Sequence, residues 1–206
     1  MVEEAARDPR LKRWLCELTA TPGLTAVRDT AAARRQHLAD SLAALPVVGR
    51  FAGPLVDVGS GGGAPGLPLA AALPDREVTL LEASRRKCDF LREAARDFPN
   101  VRVVHGRAEE QPVDTWGVAV AKALAAPPVA LEWCLALVRP GGAAVLFVGE
   151  DPRLQQVATV AAQLAGGMPE LADAGKRRNL VVVRKDGPTP PGFPRRPGVA
   201  RKRPLA

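Results

Sequence analysis

Asp57, Gly59, Gly61 and Gly63 alternate along one short stretch that also holds Gly62 and Gly66, and Glu82 closes the next apolar run. Residues without side chains let a backbone turn sharply and come close to a ligand. Asp57 stands two residues before the first glycine. A carboxylate there can organise the loop and, directly or through water, hold a ligand's ammonium group. Glu82 is placed to accept hydrogen bonds from two ribose hydroxyls. The pair suits a ligand with a ribose and a cationic group.

Gly61-Gly-Gly-Ala-Pro-Gly66 matches the GxGxxG dinucleotide fingerprint, which is weak on its own. Three details favour S-adenosylmethionine over NAD. An acid ends the first strand, as is common in methyltransferases. The loop carries no basic residue, although a pyrophosphate relies mainly on backbone N–H groups. Val138-Arg-Pro-Gly-Gly142 precedes the fifth strand, a turn frequent in methyltransferases of this architecture. Glu82 serves either cofactor.

The elements that must position these groups follow from hydrophobic periodicity. Strands are predicted at 55–58, 78–81, 101–104, 118–120, 143–148 and 180–183. Helices are predicted at 67–73, 86–97, around 129–138 and at 154–164. Alternation of this kind gives an α/β fold, a doubly wound, mostly parallel seven-stranded sheet of Rossmann-like type. Ligands then sit beyond the C-terminal ends of the strands. Residues 1–50 read as a small helical cap. Leu11, Trp14, Leu15 and Leu18 lie at helical spacing before Thr21-Pro-Gly23, and Thr30 is placed to cap a helix carrying Leu38, Leu42 and Leu45. Residues 51–185 form the cofactor-binding domain and 186–206 a basic tail, within one globular domain.

The 206 residues are 47% apolar and 25% charged. No apolar run approaches the roughly 20 residues that span a bilayer. The acidic N-terminus lacks an apolar signal core, so a cytoplasmic protein without membrane contact is expected. Cys16, Cys88 and Cys134 are far apart and form no CxxC pair, which fits buried thiols in a reducing compartment and no metal site. The net charge of +7 is uneven: residues 176–206 hold ten Lys and Arg against one acid, Asp186. Lys176-Arg-Arg178, Arg184-Lys185, Arg195-Arg196 and Arg201-Lys-Arg203 are spaced by Pro and Gly. Such a tail is expected to run over the surface and track a phosphate backbone.

Several motifs in order resemble the RsmG (GidB) family of bacterial methyltransferases. Gly23-Leu-Thr-Ala-Val-Arg-Asp29 is similar to its Asn-Leu-Thr-x-x-Arg-Asp segment, and His37-Leu-Ala-Asp-Ser41 to its His-x-x-Asp-Ser helix. The loop 57–69 ends in the distinctive Pro-Gly-x-Pro-Leu. Arg107-Ala-Glu-Glu110 matches a family turn, and Pro194 to Leu205 matches a basic tail seen in many members.

The resemblance implies S-adenosylmethionine-dependent methylation of a guanine N7 in the 530 loop of 16S ribosomal RNA, with that RNA or the small subunit as partner to a monomer. Cofactor contacts then fall on Gly59, Ala64, Glu82, Ala83, Ser84, Ala108, Glu109 and Lys122, beside Asp57 and Gly61 of the loop. RNA contacts fall on Arg28, Arg34, Arg35, His37, Arg195, Arg196, Arg201, Lys202 and Arg203. Two positions depart from the pattern. Lys122 stands where the family usually has Arg, which keeps the charge and loses the planar fork. Val148-Gly149 replaces Lys-Gly.

Guanine N7 carries an in-plane lone pair and no proton, so its methylation needs no general base. Positioning and electrostatics suffice, and Lys122 and His37 are the positioning candidates. No Ser-His-Asp, Cys-His or metal-ligand set is present. Cys88 and Cys134 fall within helix patterns, against a nucleophilic cysteine of the 5-methylcytosine type. His105 reads as structural, Trp14 as a core anchor and Trp133 as helix packing, while Trp116 fits either the fourth strand or the cofactor mouth. The competing readings are a non-catalytic RNA-binding relative, a small-molecule methyltransferase and an NAD-linked oxidoreductase.

Overall fold

A computed structural model describes residues 2–173 and 179–206. The basic run at 176–178 lies outside the described residues. The N-terminal cap holds α1 (Val2–Ala5), α2 (Pro9–Ala20), α3 (Thr30–Ala33), a π-helical stretch (Arg34–Ala39), α4 (Asp40–Leu42) and α5 (Leu45–Val48). Asp8 caps α2 by accepting from the Arg10 N–H at 2.8 Å, with Pro9 in the first turn where no N–H is needed. Its apolar stripe, Leu11, Trp14, Leu15 and Leu18, is buried, as the spacing predicts. Asp29, not Thr30, caps α3, accepting from the Ala32 N–H at 2.7 Å. The carboxylate sits one residue earlier and reaches the third amide of the helix.

From residue 55 the elements are β1 (Leu55–Val58), α6 (Gly66–Ala72), β2 (Val78–Glu82), α7 (Arg85–Ala95), β3 (Val101–His105) and β4 (Trp116–Lys122). They continue with α8 (Pro127–Leu137), β5 (Val138–Val148), α9 (Leu154–Gln163), β6 (Glu170–Asp173), β7 (Asn179–Arg184) and α10 (Val199–Lys202). Among the described residues seven strands form one sheet of order β3-β2-β1-β4-β5-β7-β6. The first five are parallel, and β7 and then β6 add antiparallel. The order reverses between β1 and β4, which leaves a crevice beyond their C-terminal ends. Every residue of β1 is buried, consistent with a strand covered on both faces.

The cap and α6 cover one face, while α8 and α9 cover the other. α8 is apolar nearly all round because it lies between the sheet, α9 and the C-terminal segment. Trp116 begins β4, buried, with its indole donating to Thr79 Oγ1 at 3.3 Å. That settles its place at the foot of the strand, away from the crevice.

Four further features differ from the sequence-based expectations. β5 starts at Val138 and pairs with Trp116, so the Pro-Gly-Gly turn becomes an irregularity inside the strand, with Gly141 at φ 83°. Cys16 is exposed on the outer side of α2, whereas Cys88 and Cys134 are buried free thiols, and burial pushes both thiols up. Lys185 is fully buried, although it counts toward the basic tail by charge. Its ammonium donates to Leu164 O at 2.8 Å, Thr189 Oγ1 at 2.9 Å and Leu135 O at 3.2 Å. Burial lowers its pKa to about 8, with Asp114 acting in the opposite direction.

The last difference is the tail itself. It folds onto α8 instead of crossing the surface as a free chain. Arg195 bonds both oxygens of buried Glu132, Nε to Oε1 at 2.6 Å and Nη2 to Oε2 at 2.5 Å. Phe193 and Leu205 pack against the core, and Ala200 is buried.

Candidate active site

A cavity of about 430 Å³ opens over the C-terminal ends of β1, β2 and β3. Gly59, Glu82, Ala83, Ala108 and Glu109 line it, all of them expected site residues. Gly59 has φ 71°, and a side chain there would meet Leu124 Cδ1 at 2.4 Å, so a Cβ at this point strains the loop and crowds the cavity wall. At the tip of β2, Glu82 accepts from the Gly61 N–H at 2.9 Å and the Ser84 N–H at 2.8 Å. These bonds hold its carboxylate at the cavity edge. Ser84 precedes α7 and lines neither this cavity nor the next one.

Asp57 is buried beneath the loop and lines neither cavity. Its Oδ2 accepts from the Gly66 N–H at 3.0 Å, which ties the end of the glycine loop to β1. Loop organisation, the first of its two expected roles, is what this position performs. Burial pushes the carboxyl up to about 7, against the opposing Gly66 hydrogen bond.

A second cavity of about 230 Å³ lies beside the first, toward the cap. Gly61, Ala64, His37 and Lys122 line it, with Leu18 and Leu24 supplying apolar wall. Gly59, Lys87 and Ala123 line both cavities. Ala123 follows Lys122 with φ 53°, a backbone conformation uncommon for residues other than Gly. Lys122 Nζ donates to Gln36 O at 2.5 Å and so ties the end of β4 to the cap. His37 shares a 2.8 Å hydrogen bond with Thr25 Oγ1, which joins the two cap motifs. The π-helical stretch that carries His37 is itself a common mark of functional sites.

Outside the cavities, Arg28, Arg34 and Arg35 are exposed on the cap. Arg28 donates to Thr19 O and Arg34 to Ala6 O. Arg196, Lys202 and Arg203 are exposed on the C-terminal segment, while Arg195 is held by Glu132. His105 bonds Ala83 O at 3.1 Å, in keeping with a structural part. Val148 is buried at the end of β5.

Sequence reasoning missed Lys87, Leu124 and Trp133 in the larger cavity wall, and it assigned Arg201, which also lines that cavity, to RNA. Trp133 sits on a helix that is apolar nearly all round, so no pattern singles out its face. Lys87 was hidden in a charged run, Arg85-Arg-Lys87, that reads as a solvated helix start. No group of His, Cys, Asp and Glu among the described residues could hold a metal ion, and no described helix is long and apolar enough to cross a membrane.

A sheet of this order, with its cavity at this edge, defines a Rossmann-like methyltransferase. The fold is similar to that of Thermus thermophilus 16S rRNA N2 G1207 methyltransferase in complex with AdoMet and guanosine (TM-score 0.55, 18% identity, 68% of this chain and 37% of that one). It is also similar to the S-adenosylmethionine-dependent methyltransferase SibL (TM-score 0.60, 16% identity, 84% of this chain and 62% of that one).

Residues 9–177 match the family model of rRNA small subunit methyltransferase G, and the chain belongs to that family. Ribosomal RNA small subunit methyltransferase G of Rubrobacter xylanophilus is 40% identical over 82% of this chain and 72% of its own length. That of Acetivibrio thermocellus is 32% identical over 95% and 84%. The protein is accordingly an rRNA methyltransferase that uses S-adenosylmethionine. The cavity suits that cofactor: its volume is in the range of small-molecule sites, a carboxylate stands at its rim, and Gly59 leaves space that a Cβ would fill.

Proposed function

We propose that this enzyme methylates N7 of a guanine in 16S rRNA, as free RNA or within the small subunit. The observation that carries this reading is the pair of adjoining cavities. Lys87, Lys122 and His37 line the second one, and none of the described residues lining it is a carboxylate. Such a wall accepts a nucleotide with its phosphates and offers no carboxylate base, and the His37 Nε2 is engaged with Thr25 Oγ1. N7 needs none, because its lone pair is already free at neutral pH.

When bound, the cofactor supplies an electrophilic methyl group on its sulfonium sulfur. Glu82 is placed to accept from the ribose hydroxyls. The backbone at Ala83, Ala108 and Glu109 borders the adenine edge, and the loop at Gly59, Gly61 and Ala64 gives close backbone approach. Lys122 and His37, both joined to the cap, hold the base in line and exclude water. Arg28, Arg34 and Arg35 on the cap, with Arg196, Lys202 and Arg203 on the tail, meet phosphates outside the cavities. These contacts strengthen binding without reading sequence.

The test is incubation of purified protein with labelled S-adenosylmethionine and 16S rRNA or small subunits from a strain lacking the gene. Mass mapping should show one new N7-methylguanine. Transfer to another base, or to another atom of guanine, would overturn the reading.

A further inference from the structure

The five tail cations assigned to RNA by resemblance do not share one environment. Arg195 is bound to Glu132. Arg196, Lys202 and Arg203 line neither cavity. Arg201 lines the larger cavity, with its guanidinium carbon 6.0 Å from the centre of the Trp133 ring. Three contacts hold the segment there: the Arg195–Glu132 pair, the Gly198 N–H donating to Glu109 Oε1 at 3.0 Å, and buried Ala200 in α10 against α8. Glu109 and Trp133 line the same cavity. The Trp133 indole N–H is buried with no hydrogen-bond partner, so this aromatic is kept there by its ring faces and not by a polar tie.

We propose that the C-terminal segment is a wall of the cofactor cavity and that Arg201 contacts the adenine end of bound S-adenosylmethionine. This rests on the cofactor occupying that cavity. Arg201, Trp133, Ala108 and Glu109 gather at the side formed after β3 and by α8, away from Lys122 and the second cavity. Adenine offers a flat π face and ring nitrogens that accept hydrogen bonds. A guanidinium is planar, donates along its edge and stacks on aromatic faces. Adenine is uncharged, so a cation here is kept from the sulfonium at the other end of the ligand. The tail thus serves two partners: Arg201 inward on the cofactor, Lys202 and Arg203 outward.

The experiment is calorimetric titration of the full chain and of R201A and R201K with S-adenosylhomocysteine and with 5′-methylthioadenosine, which lacks the amino-acid part. R201A should weaken both ligands by about three- to fivefold, the range of a guanidinium–aromatic contact made by an exposed arginine. R201K should recover only part of the loss, since it keeps the charge without the planar edge. R201A binding within twofold of wild type would overturn the proposal. So would a loss confined to S-adenosylhomocysteine, which would place Arg201 at the amino-acid end. Tight wild-type binding of S-adenosylhomocysteine without methyl transfer to 16S rRNA would sink the guanine-N7 reading and leave the Arg201 contact standing.

Discussion

The indole nitrogen of Trp14 donates to the carbonyl of Gly62 across 2.7 Å, so a helix of the cap holds the glycine loop from outside the sheet. Trp14 is fully buried on the apolar stripe of α2, and Leu18 one turn on fills the space beside Gly62. The helical spacing of the first twenty residues thereby bears on the shape of the cofactor cavity. Trp14→Phe keeps an aromatic ring but deletes the N–H and the pyrrole part of a fully buried indole. It should cost about 2–4 kcal/mol of stability, the sum of the lost hydrogen bond and the cavity left behind. Amide exchange should quicken selectively over residues 59–66, and an even increase across the chain would contradict this role.

Gly59→Val puts a branched side chain where Leu124 Cδ1 lies 2.4 Å from a Cβ position, on a backbone with φ 71°. Both effects fall on the cavity floor. S-Adenosylhomocysteine binding should be lost while affinity for RNA is kept. Calorimetry and filter binding on the same preparation decide it, and parallel loss of both would show that the sites are not separate.

Asp57 gives the protein a pH dependence of known sign. Its folded pKa, pushed up to about 7 chiefly by burial, lies above the ordinary 3.8. The folded state therefore keeps a proton that the unfolded chain releases. Its contribution to stability is full below about pH 4 and is lost as pH rises toward 7, by a few kcal/mol in order of magnitude. Asp57→Asn removes this dependence. Urea unfolding at steps from pH 4 to 7 should show wild type losing stability relative to the variant, and superimposable profiles would refute it.

Lys122 joins the sheet to the cap through Gln36 O and lines the second cavity, not the first. Lys122→Ala should lower kcat/KM for RNA by about 10- to 100-fold, as expected for a lost charged hydrogen bond. S-Adenosylhomocysteine affinity should stay within threefold. Lys122→Arg, which restores the residue usual in the family, should match or exceed wild type. An equal fall in cofactor affinity would move Lys122 to the cofactor side.

Glu132 is buried and meets the partly exposed Arg195 through two short hydrogen bonds. Removing one partner of such a pair leaves the other's charge poorly solvated. Glu132→Ala should cost about 2 kcal/mol, discounted for the exposure of Arg195. Limited proteolysis should then cut between residues 187 and 206 well before the sheet domain. Unchanged protection of that segment would mean that other contacts hold it.

The central strands were legible in the sequence because each is a short, fully buried apolar run, and Glu82 stood out as the acid ending one of them. β6 was not legible: Glu170, Leu171 and Asp173 are exposed on an edge strand, so no apolar alternation marks it. The roles of Lys185 and Arg195 were hidden for another reason. Both look like solvated charge. Leu135 O and Glu132, which decide otherwise, lie 50 and 63 residues away on α8. Charge counting registers a residue's sign but not its partner. Trp133 packs against the core as its position predicts, and its second place in the cavity wall was hidden because a nearly all-apolar helix gives no hint of which turn borders a cavity.

Gly59 and Ala123 border both cavities and carry between them a single methyl group. Any aperture between the two cavities is therefore framed chiefly by main chain, at the tips of β1 and β4, with Lys87 as the one long side chain that both share. An aperture of this kind keeps its width when surrounding side chains drift in evolution, because it is set by the spacing of two paired strands. Fidelity in what meets across it is inherited from the sheet, which leaves the outer walls free to vary with the RNA they serve.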